Sequence, residues 1–403
     1  MPDYAVLVPQ AESVGALAVI RSLGSAGYVV HALSTDPLGL GLKSRQAHRA
    51  EVSPAYQSEG YVEWVRDYLR ANDIQAIIPS EGFLIALGEA RSELLPLFPF
   101  APDERSLMSA MSKHDLLTAL VARHPLNLPP TLLIDNLSEV PAEPRLRELG
   151  APLYVKLDGC HSLDGSGGVT RRFESADEAR AYLLSLRGRF TRAVVQGHVE
   201  GQGVGAFFLC TGGEIRAEFM HHRLHEVPWT GGVSSLRESW WHEGVLADAR
   251  AKLLLTGFEG VAMMEYRWDP ATDRFAFIEM NARFWGSLHL ALHAGVDFPR
   301  LLLDAWRGLP VSPARAKPGV RSRHLPLEIQ HVWSRLRAPD LPARAKLAAL
   351  VALAADTVDP RVRSDLFWPG DRGVFFTAMA DFLRSLRSAR QARGPMPVVP
   401  AVP

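Results

Sequence analysis

Short apolar runs alternate with amphipathic segments over the first hundred residues, and this alternation constrains the fold more than any other feature of the sequence. Runs typical of β-strands lie at 4–9, 28–33 and 74–79, and segments with helical spacing lie at 13–23 and 61–70. Strands that are separated by helices usually pair in parallel, which predicts an α/β domain at the N-terminus. No GxGxxG motif follows the first strand, and its absence disfavours a dinucleotide-binding domain.

The composition excludes several classes of protein. The 44 basic and 44 acidic side chains cancel, so nothing in the overall charge favours binding to nucleic acid. No run of about 18 or more apolar residues is present, and no membrane partner is expected. Only two cysteines occur, Cys160 and Cys210, and the first ten residues do not resemble a secretory signal. These features predict a cytoplasmic protein.

The rest of the chain divides into two further kinds of sequence. A helix is predicted at 112–124, and strands with glycine-rich loops dominate from 131 to about 310. Beyond that point the chain is rich in Arg, Ala and Pro, with helices predicted near 342–357 and 373–391.

The segment 261–286 holds the strongest concentration of chemically useful side chains. Residues 261–268 and 274–280 have the pattern of strands, and the sequence Asp-Pro-Ala-Thr-Asp between them favours a turn. The segment therefore predicts a β-hairpin.

Two acids and an amide on this hairpin form a candidate metal site. Glu279 and Asn281 share a face because side chains alternate along a strand, and Glu265 is expected opposite Glu279 or one residue away. Their oxygen atoms suit Mg²⁺. Arg283 follows closely and can neutralise a phosphate or a carboxylate. The alternative is an exposed hairpin whose acids are simply solvated.

A second group of residues suits the binding of phosphate. Lys156 lies within a short apolar strand, where a lysine is unusual unless it is paired or functional. The loop that follows contains Gly165, Ser166, Gly167 and Gly168, whose free backbone N–H groups can cradle phosphates. It is not a Walker loop, and a plain hairpin turn is the alternative.

A third segment interrupts a β-branched run with polar residues between 196 and 200. Unpaired backbone groups at such a kink can contact the edge of an adenine, and Glu200 is the candidate for the ribose hydroxyls. A connector at a domain edge is the alternative interpretation.

The stretch 221–239 contains three histidines and two arginines. His221, His222 and His225 raise the alternative of a transition-metal site, but no further Cys or His has matching spacing. We expect this segment to face the active site, with Arg223 meeting the acceptor or the carboxylate substrate. A loop with surface histidines is the other interpretation.

Taken in order, these pieces resemble the ATP-grasp superfamily over residues 1–310. The resemblance rests on Lys113 at a helix start, Lys156 before the glycine-rich loop, the hinge QGHVEG, Glu265 and the run EMNAR. The stretches HHRLHEVPWTGGVSSLRES and NARFWGSLHLALHAGVDFP look like the carbamoyl-phosphate-synthase-like carboxylate–amine ligase branch.

This resemblance implies an α/β (α+β) ATP-grasp fold in three parts. An N-terminal Rossmann-like domain would span 1–110, an ATP lid with its linker 111–200, and the larger catalytic subdomain 201–310. A helical extension over 311–403 would complete the chain. That extension has no chemistry that we can assign, and support of a homodimer is one of its alternatives.

The resemblance also implies roles for particular residues. Lys113 and Lys156 would contact the ATP phosphates, residues 165–168 would form the phosphate loop, and Arg283 would steady the transferred phosphoryl group or the acylphosphate. Mg²⁺, or Mn²⁺ in its place, would be held by Glu265, Glu279 and Asn281. The adenine pocket would be lined by Gln196, Gly197, His198 and Val199. Many relatives have an acid where this chain has Gln196, so the assignment of Glu200 to the ribose stays open.

Three functions are therefore carried forward. The first is an ATP- and Mg²⁺-dependent ligase that activates a carboxylate as an acylphosphate and transfers it to an amine or amino acid. The second is carbamoyl-phosphate-type chemistry on bicarbonate, and the third is a nucleotide-binding regulator without turnover. Neither the carboxylate nor the amine can be named from the sequence.

Overall fold

The computed structural model describes residues 4–99, 103–165, 167–229, 232–311 and 316–391. These residues form three sheets, two of four strands and one of seven, with helices between and around them. No helix in the described ranges combines the length and the apolar character that crossing a membrane requires.

The N-terminal domain is a parallel sheet flanked by helices. Its strand order is β3-β2-β1-β4, and every adjacent pair is parallel, as the alternation of strands and helices predicts. The Ser80 hydroxyl caps the third helix by accepting from the N–H of Phe83, which places Glu81 in the first turn just after the fourth strand. The elements are β1 (Ala5–Val8), α1 (Val14–Ser25), β2 (Val29–Ser34), β3 (Arg49–Val52), α2 (Tyr61–Ala71), β4 (Ala76–Ile77), α3 (Glu81–Leu87) and α4 (Arg91–Leu94).

Two helices, α5 (Glu104–Met111) and α6 (Lys113–Arg123), lead into the second sheet. The Ser112 hydroxyl accepts from the N–H of Asp115, so α6 begins with Lys113 in its first turn. The second sheet is antiparallel in the order β5-β8-β6-β7 and has its own apolar core. Its elements are β5 (Thr131–Ile134), α7 (Glu143–Arg147), β6 (Leu153–Leu157), β7 (Val169–Phe173), α8 (Ala176–Ser185) and β8 (Ala193–Gly197).

The third and largest sheet has the order β13-β12-β9-β10-β11-β14-β15. One face packs on α9 and α6, and the opposite face packs on α10, α11 and the N-terminal α1. Its elements up to residue 323 are β9 (Gln202–Thr211), β10 (Glu214–Val227), β11 (Val233–Ser239), α9 (Glu243–Thr256), β12 (Gly260–Asp269), β13 (Arg274–Asn281), α10 (Leu288–Ala294), α11 (Phe298–Trp306) and β14 (Arg321–Arg323).

The C-terminal extension is mostly helical, as predicted, but it also completes the large sheet. Two helices, α13 (Ala343–Val358) and α14 (Gly373–Gln391), confirm the predicted ranges within a residue. The sequence analysis missed α12 (Leu325–Arg337) and the short strand β15 (Val362–Ser364), which pairs in parallel with β14. Strands β14 and β15 are three residues long, which is too short to show the alternation of side chains that identifies a strand in a sequence.

A buried ion pair fastens this extension to the N-terminal domain. Asp371, just before α14, accepts from Arg21 Nε on α1 at 2.8 Å, from Ser44 Oγ at 2.8 Å and from the N–H of Arg45 at 2.9 Å. Arg21 and Asp371 are 0% and 1% exposed. The extension is therefore part of the folded body and not an appendage.

Candidate active site

The paired acids of the β12–β13 hairpin lie directly opposite each other. Glu265 is the cross-strand partner of Glu279, and Met263 is the partner of Asn281. Directly opposite residues have Cβ atoms about 5 Å apart on one face of the sheet. The two carboxylates are only 15% and 22% exposed, so they are not solvated surface acids. Two carboxylates and an amide oxygen on one face fit the hard ligand set that Mg²⁺ prefers.

Two lysines from other elements approach these acids. Lys113 Nζ lies 3.9 Å from Glu279 Oε2, while Lys156 on β6 is 5% exposed and donates to the carbonyl of Ile278 at 3.0 Å. Lys156 of the second sheet and Lys113 of α6 therefore both lie next to β13 of the large sheet. The structure brings together the lysines and the acids that the sequence analysis singled out.

The charges of this cluster shift one another's pKa. Burial alone would raise the pKa of Glu279, but Lys113 and Lys156 lower it to about 2. Burial lowers the pKa of Lys156, and the attraction of Glu279 offsets only part of that effect. Burial also disfavours the charge on Lys113, yet Glu279 and Glu81 outweigh it and raise its pKa. The carboxylate of Glu279 is therefore ionised over the whole physiological range.

A pocket next to the acids joins the N-terminal domain to the large sheet. It encloses roughly 290 Å³, counting the space at its open mouth. Arg283 Nε lies 3.5 Å from Glu81 Oε2, and Arg283 Nη2 donates to Asn281 Oδ1 at 3.3 Å. The lining residues are Glu81, Leu84, Met111, Lys113, Met280, Asn281, Ala282 and Arg283.

Glu81 is the pocket residue that the sequence analysis missed. A signal was present, because Glu81 begins the helix that follows β4, and ligands of open α/β sheets bind outside the carboxyl ends of the strands. An acid in the first turn of a helix is, however, also common for purely local reasons. Only the folded structure places this carboxylate against Arg283 of the distant hairpin.

Arg223 lies inside the site but is already paired. Its Nη2 atom is 2.7 Å from Glu265 Oε2, and its Nη1 atom donates to Glu226 Oε1 at 3.1 Å. Arg267 donates to the other oxygen of Glu226 at 3.0 Å. A Cβ atom on Gly203 of β9 would lie 2.7 Å from both Arg223 Cδ and Glu226 Oε1, so only glycine leaves room for this network. The arrangement supports the carboxylate of Glu265, and the contact of Arg223 with a substrate stays a prediction.

Helix α12 of the C-terminal extension packs against β10, the strand that carries Arg223. His331 Nδ1 lies 2.7 Å from the carbonyl oxygen of Glu226, and the His331 ring stacks on that of His225 at 4.3 Å. His225 in turn contacts Glu328 Oε2 at 2.9 Å. Continuous contacts therefore connect the extension to Glu265, and no local sequence signal could have shown this.

The three histidines of 221–239 do not converge on one point. His221 lies beside Phe207 with ring centroids 4.7 Å apart, His222 stacks on Trp240, and His225 meets Glu328. Among the described residues, the only group of three His, Cys, Asp or Glu side chains close enough to share a metal is His114, Asp115 and His161. Arg192 already donates to Asp115 at 2.6 Å, which neutralises that carboxylate.

The glycine-rich loop lies beside the pocket. Ser166 falls outside the described residues, while Gly165, Gly167 and Gly168 fall within them. Gly165 has a φ of +74°, which favours glycine. A Cβ atom on Gly168 would lie 2.9 Å from the carbonyl oxygen of Leu157 and 3.6 Å from Glu81 Oε1. The loop thus folds back against the end of β6 and reaches the N-terminal domain.

The hinge residues lie at the end of β8. Gln196 is buried and donates from Nε2 to Thr131 Oγ1 at 3.1 Å, so its side-chain amide is hydrogen-bonded within the second sheet. The His198 ring stacks on that of Tyr154, and His198 Nδ1 lies 3.2 Å from the Tyr154 hydroxyl oxygen. Glu200 is 91% exposed and lies 3.2 Å from His198 Nε2. The part of the hinge beyond Gly197 therefore has the freedom to meet a ligand.

Comparisons with known proteins identify the fold. No family model matches the chain, and no curated protein sequence matches it. Solved structures do resemble it, and a biotin carboxylase from Campylobacter jejuni has 17% identity and a TM-score of 0.58 over 77% of this chain and 72% of that one. N5-carboxyaminoimidazole ribonucleotide synthetase from Thermus thermophilus has 17% identity and a TM-score of 0.56, covering 79% and 81%. An L-amino acid ligase from Bacillus licheniformis has 15% identity and a TM-score of 0.54, covering 76% and 74%. These similarities confirm the predicted ATP-grasp fold.

Proposed function

We propose that this chain, with its ATP-grasp fold, is an ATP- and Mg²⁺-dependent ligase that joins a carboxylate to an amine. It activates the carboxylate as an acylphosphate and releases ADP and phosphate. The observation that supports this most is the meeting of Lys113 and Lys156 with the facing acids Glu265 and Glu279 beside the Arg283 pocket. Cations and paired metal ligands at one point are what phosphoryl transfer requires.

The two lysines would bind the phosphates of ATP. Both are held in place before the nucleotide arrives, Lys156 by the Ile278 carbonyl and Lys113 by Glu279. Mg²⁺, bound by Glu265, Glu279 and Asn281, would offset the negative charge of the phosphates. Mn²⁺ suits the same oxygen ligands. The glycine-rich loop, residues 165–168, would cover the phosphates with its N–H groups.

The second sheet would cover the nucleotide. Gln196, Gly197, His198 and Val199 would line the adenine, and Glu200 would take the ribose hydroxyls. In this proposal each domain has its own role. Residues 1–110 help to bind the acceptor, and residues 111–200 cover the ATP. Residues 201–310 carry the catalytic residues, and residues 311–403 support them.

The pocket would hold the carboxylate and then the acylphosphate. Arg283 supplies the positive charge for either anion, and Glu81 lies opposite as a negative group for the incoming amine. The amine nitrogen attacks the acyl carbon, the C–N bond forms and the C–O bond to phosphate breaks. The proton released from nitrogen passes to the Glu81 carboxylate, and phosphate leaves with the bonding electron pair.

Carboxylation of an amine from bicarbonate is the second candidate, because Arg283 lines the pocket and offers its positive charge to any small carboxylate. Bicarbonate would be phosphorylated in the same position as an organic carboxylate. Both candidates use the same residues and differ only in the acid that is phosphorylated.

Product analysis separates these functions. The full-length protein is incubated with ATP, Mg²⁺ and pools of carboxylates and amines, and ADP and phosphate are measured. A ligase releases phosphate only when both substrates are present, and ¹⁸O from a labelled carboxylate appears in that phosphate because an acylphosphate forms. ¹⁸O transfer from bicarbonate alone would favour carboxylation. Tight ATP binding without release in any pool would contradict both and indicate a regulator.

Glu226→Gln tests the support of the first metal ligand. The glutamine amide lacks the negative charge with which Glu226 holds Arg223 and Arg267. Arg223 then orients the Glu265 carboxylate less well. We expect the Mg²⁺ concentration for half-maximal ADP formation to rise roughly 10- to 100-fold, as with other outer-shell partners of metal ligands.

Glu238→Gln is the matched control, because the Glu238 side chain pairs with Arg321 and His222 and, among the described residues, not with Arg223 or Glu265. Its Mg²⁺ dependence should match that of the wild type. An unchanged Mg²⁺ requirement in Glu226→Gln would show that Glu265 is oriented without Arg223.

A further inference from the structure

Helix α13 exposes apolar side chains along its whole length. None of its sixteen residues is buried. Leu347 is 62% exposed, Val351 59% and Val358 80%. Its half-buried side contains Lys346 and Asp356 together with Ala349, Ala352 and Leu353. An ordinary surface helix turns one apolar face to the core and a polar face to solvent, whereas this helix is apolar on both sides.

The exposed side chains follow the spacing of a helix–helix seam. Arg344, Leu347, Val351, Ala354 and Val358 are separated by three, four, three and four residues, and all are exposed. Apolar residues at alternating intervals of three and four form the contact line of two-stranded helical pairs. The small Ala and Val side chains allow the two helix axes to come close.

The charges at the helix ends select an antiparallel arrangement. The first turn of α13 contains Arg344 and Lys346 and no acid, and its last turn contains no base. This is opposite to the arrangement that stabilises the helix dipole. A second α13 in antiparallel orientation would place Arg344 beside the partner's helix C-terminus, next to Asp359. In a parallel pair, like ends would meet.

We propose that α13 pairs with α13 of a second copy of this chain, antiparallel, across a two-fold axis near Val351. Val351 then faces its own counterpart, and Arg344 faces Val358 of the partner. The helix is about 24 Å long, so this seam alone buries less than the roughly 1,200–2,000 Å² of a stable interface, which takes about 20–30 residues a side. We therefore expect a dimer that dissociates on dilution.

Sedimentation velocity of the full-length protein over a wide concentration range tests the pairing. The wild type should shift from monomer to dimer as concentration rises. Val351→Glu places two carboxylates face to face at the axis and should weaken the dimer by at least tenfold. Leu383→Glu, at a 52% exposed apolar position on α14, is the matched control and should dimerise like the wild type. Circular dichroism shows whether both variants fold.

Cysteine cross-linking tests the direction of the helices. Arg344→Cys and Val358→Cys protein should form a mixed disulfide dimer under mild oxidation, whereas either variant alone should not. Native Cys210 is 3% exposed, and the wild type reports the background from the half-buried Cys160. Neither experiment depends on catalytic activity.

Three results would overturn the proposal. One is a wild-type protein that stays monomeric at every concentration, whether or not it binds phosphatidylcholine vesicles. Another is a Val351→Glu dimer as stable as the wild type. The third is a disulfide dimer formed by either single variant on its own, which would indicate parallel pairing.

Discussion

Replacing Glu279 with glutamine is expected to reduce substrate-dependent ADP formation by roughly 10³-fold. This carboxylate lies opposite Glu265 and is the counter-charge of Lys113, and it lies close enough to Lys156 for each to shift the other's pKa. The amide keeps the shape but removes the charge. One proposed metal ligand is thereby weakened, and two buried lysines lose their nearest anion, so phosphates and metal are no longer positioned together.

Binding of Mn²⁺, followed by its electron paramagnetic resonance signal in the presence of ADP, gives a readout that does not depend on turnover. We expect weaker Mn²⁺ binding in Glu279→Gln. Glu214→Gln is the control, because Glu214 begins β10, its side chain is 68% exposed and it pairs with Arg216. Full activity in Glu279→Gln would mean that the metal assignment is wrong.

Replacing Asp371 with alanine is expected to lower the free energy of unfolding by about 3–5 kcal/mol. Arg21 is fully buried, and its Nε atom donates to Asp371 at 2.8 Å. The guanidinium keeps bonds to the carbonyls of Asp365 and Leu366, but a buried positive charge would have no carboxylate in direct contact. Equilibrium denaturation in urea measures the change.

Two variants accompany Asp371→Ala. Asp381→Ala, at a 28% exposed position on α14 that pairs with Arg384, should cost no more than about 1 kcal/mol. The double replacement Arg21→Met with Asp371→Leu should recover much of the loss, because it removes both charges. If Asp371→Ala and Asp381→Ala destabilise the protein equally, the buried pair does not fasten the extension as we describe.

Local patterns in the sequence predicted much of the fold. The alternation of strands and helices predicted the parallel sheet β3-β2-β1-β4, because a helical connection returns the chain for parallel pairing. The turn residues between 269 and 273 predicted the β12–β13 hairpin, and the period of two along a strand placed Glu279 and Asn281 on one face. The helices α13 and α14 were also predictable, because each is a long segment of continuous helical pattern.

Contacts between distant segments could not be predicted from local patterns in the sequence. Glu81 and Arg283 are 202 residues apart, and Glu226 and His331 are 105 apart. Each of these residues, taken alone, also fits an ordinary local role: an acid at a helix start, or a histidine on a half-buried helix. The same limit applied to the ion pair of Arg223 with Glu265, because no local pattern connects these two residues.

What the sequence determined by itself is the set of local elements and the types of chemical group that they carry. Propensity, side-chain period and turn chemistry act over a few residues, so the hairpin with its acids and the strand with Lys156 could be found directly. The family resemblance implied that Lys113 and Lys156 lie near Glu279, but only the tertiary structure decided that Glu81 meets Arg283 and that helix α12 meets the strand of Arg223. The physical reason is that these meetings depend on how three sheets and an extension pack, and that packing follows from buried surface and charge summed over the whole chain.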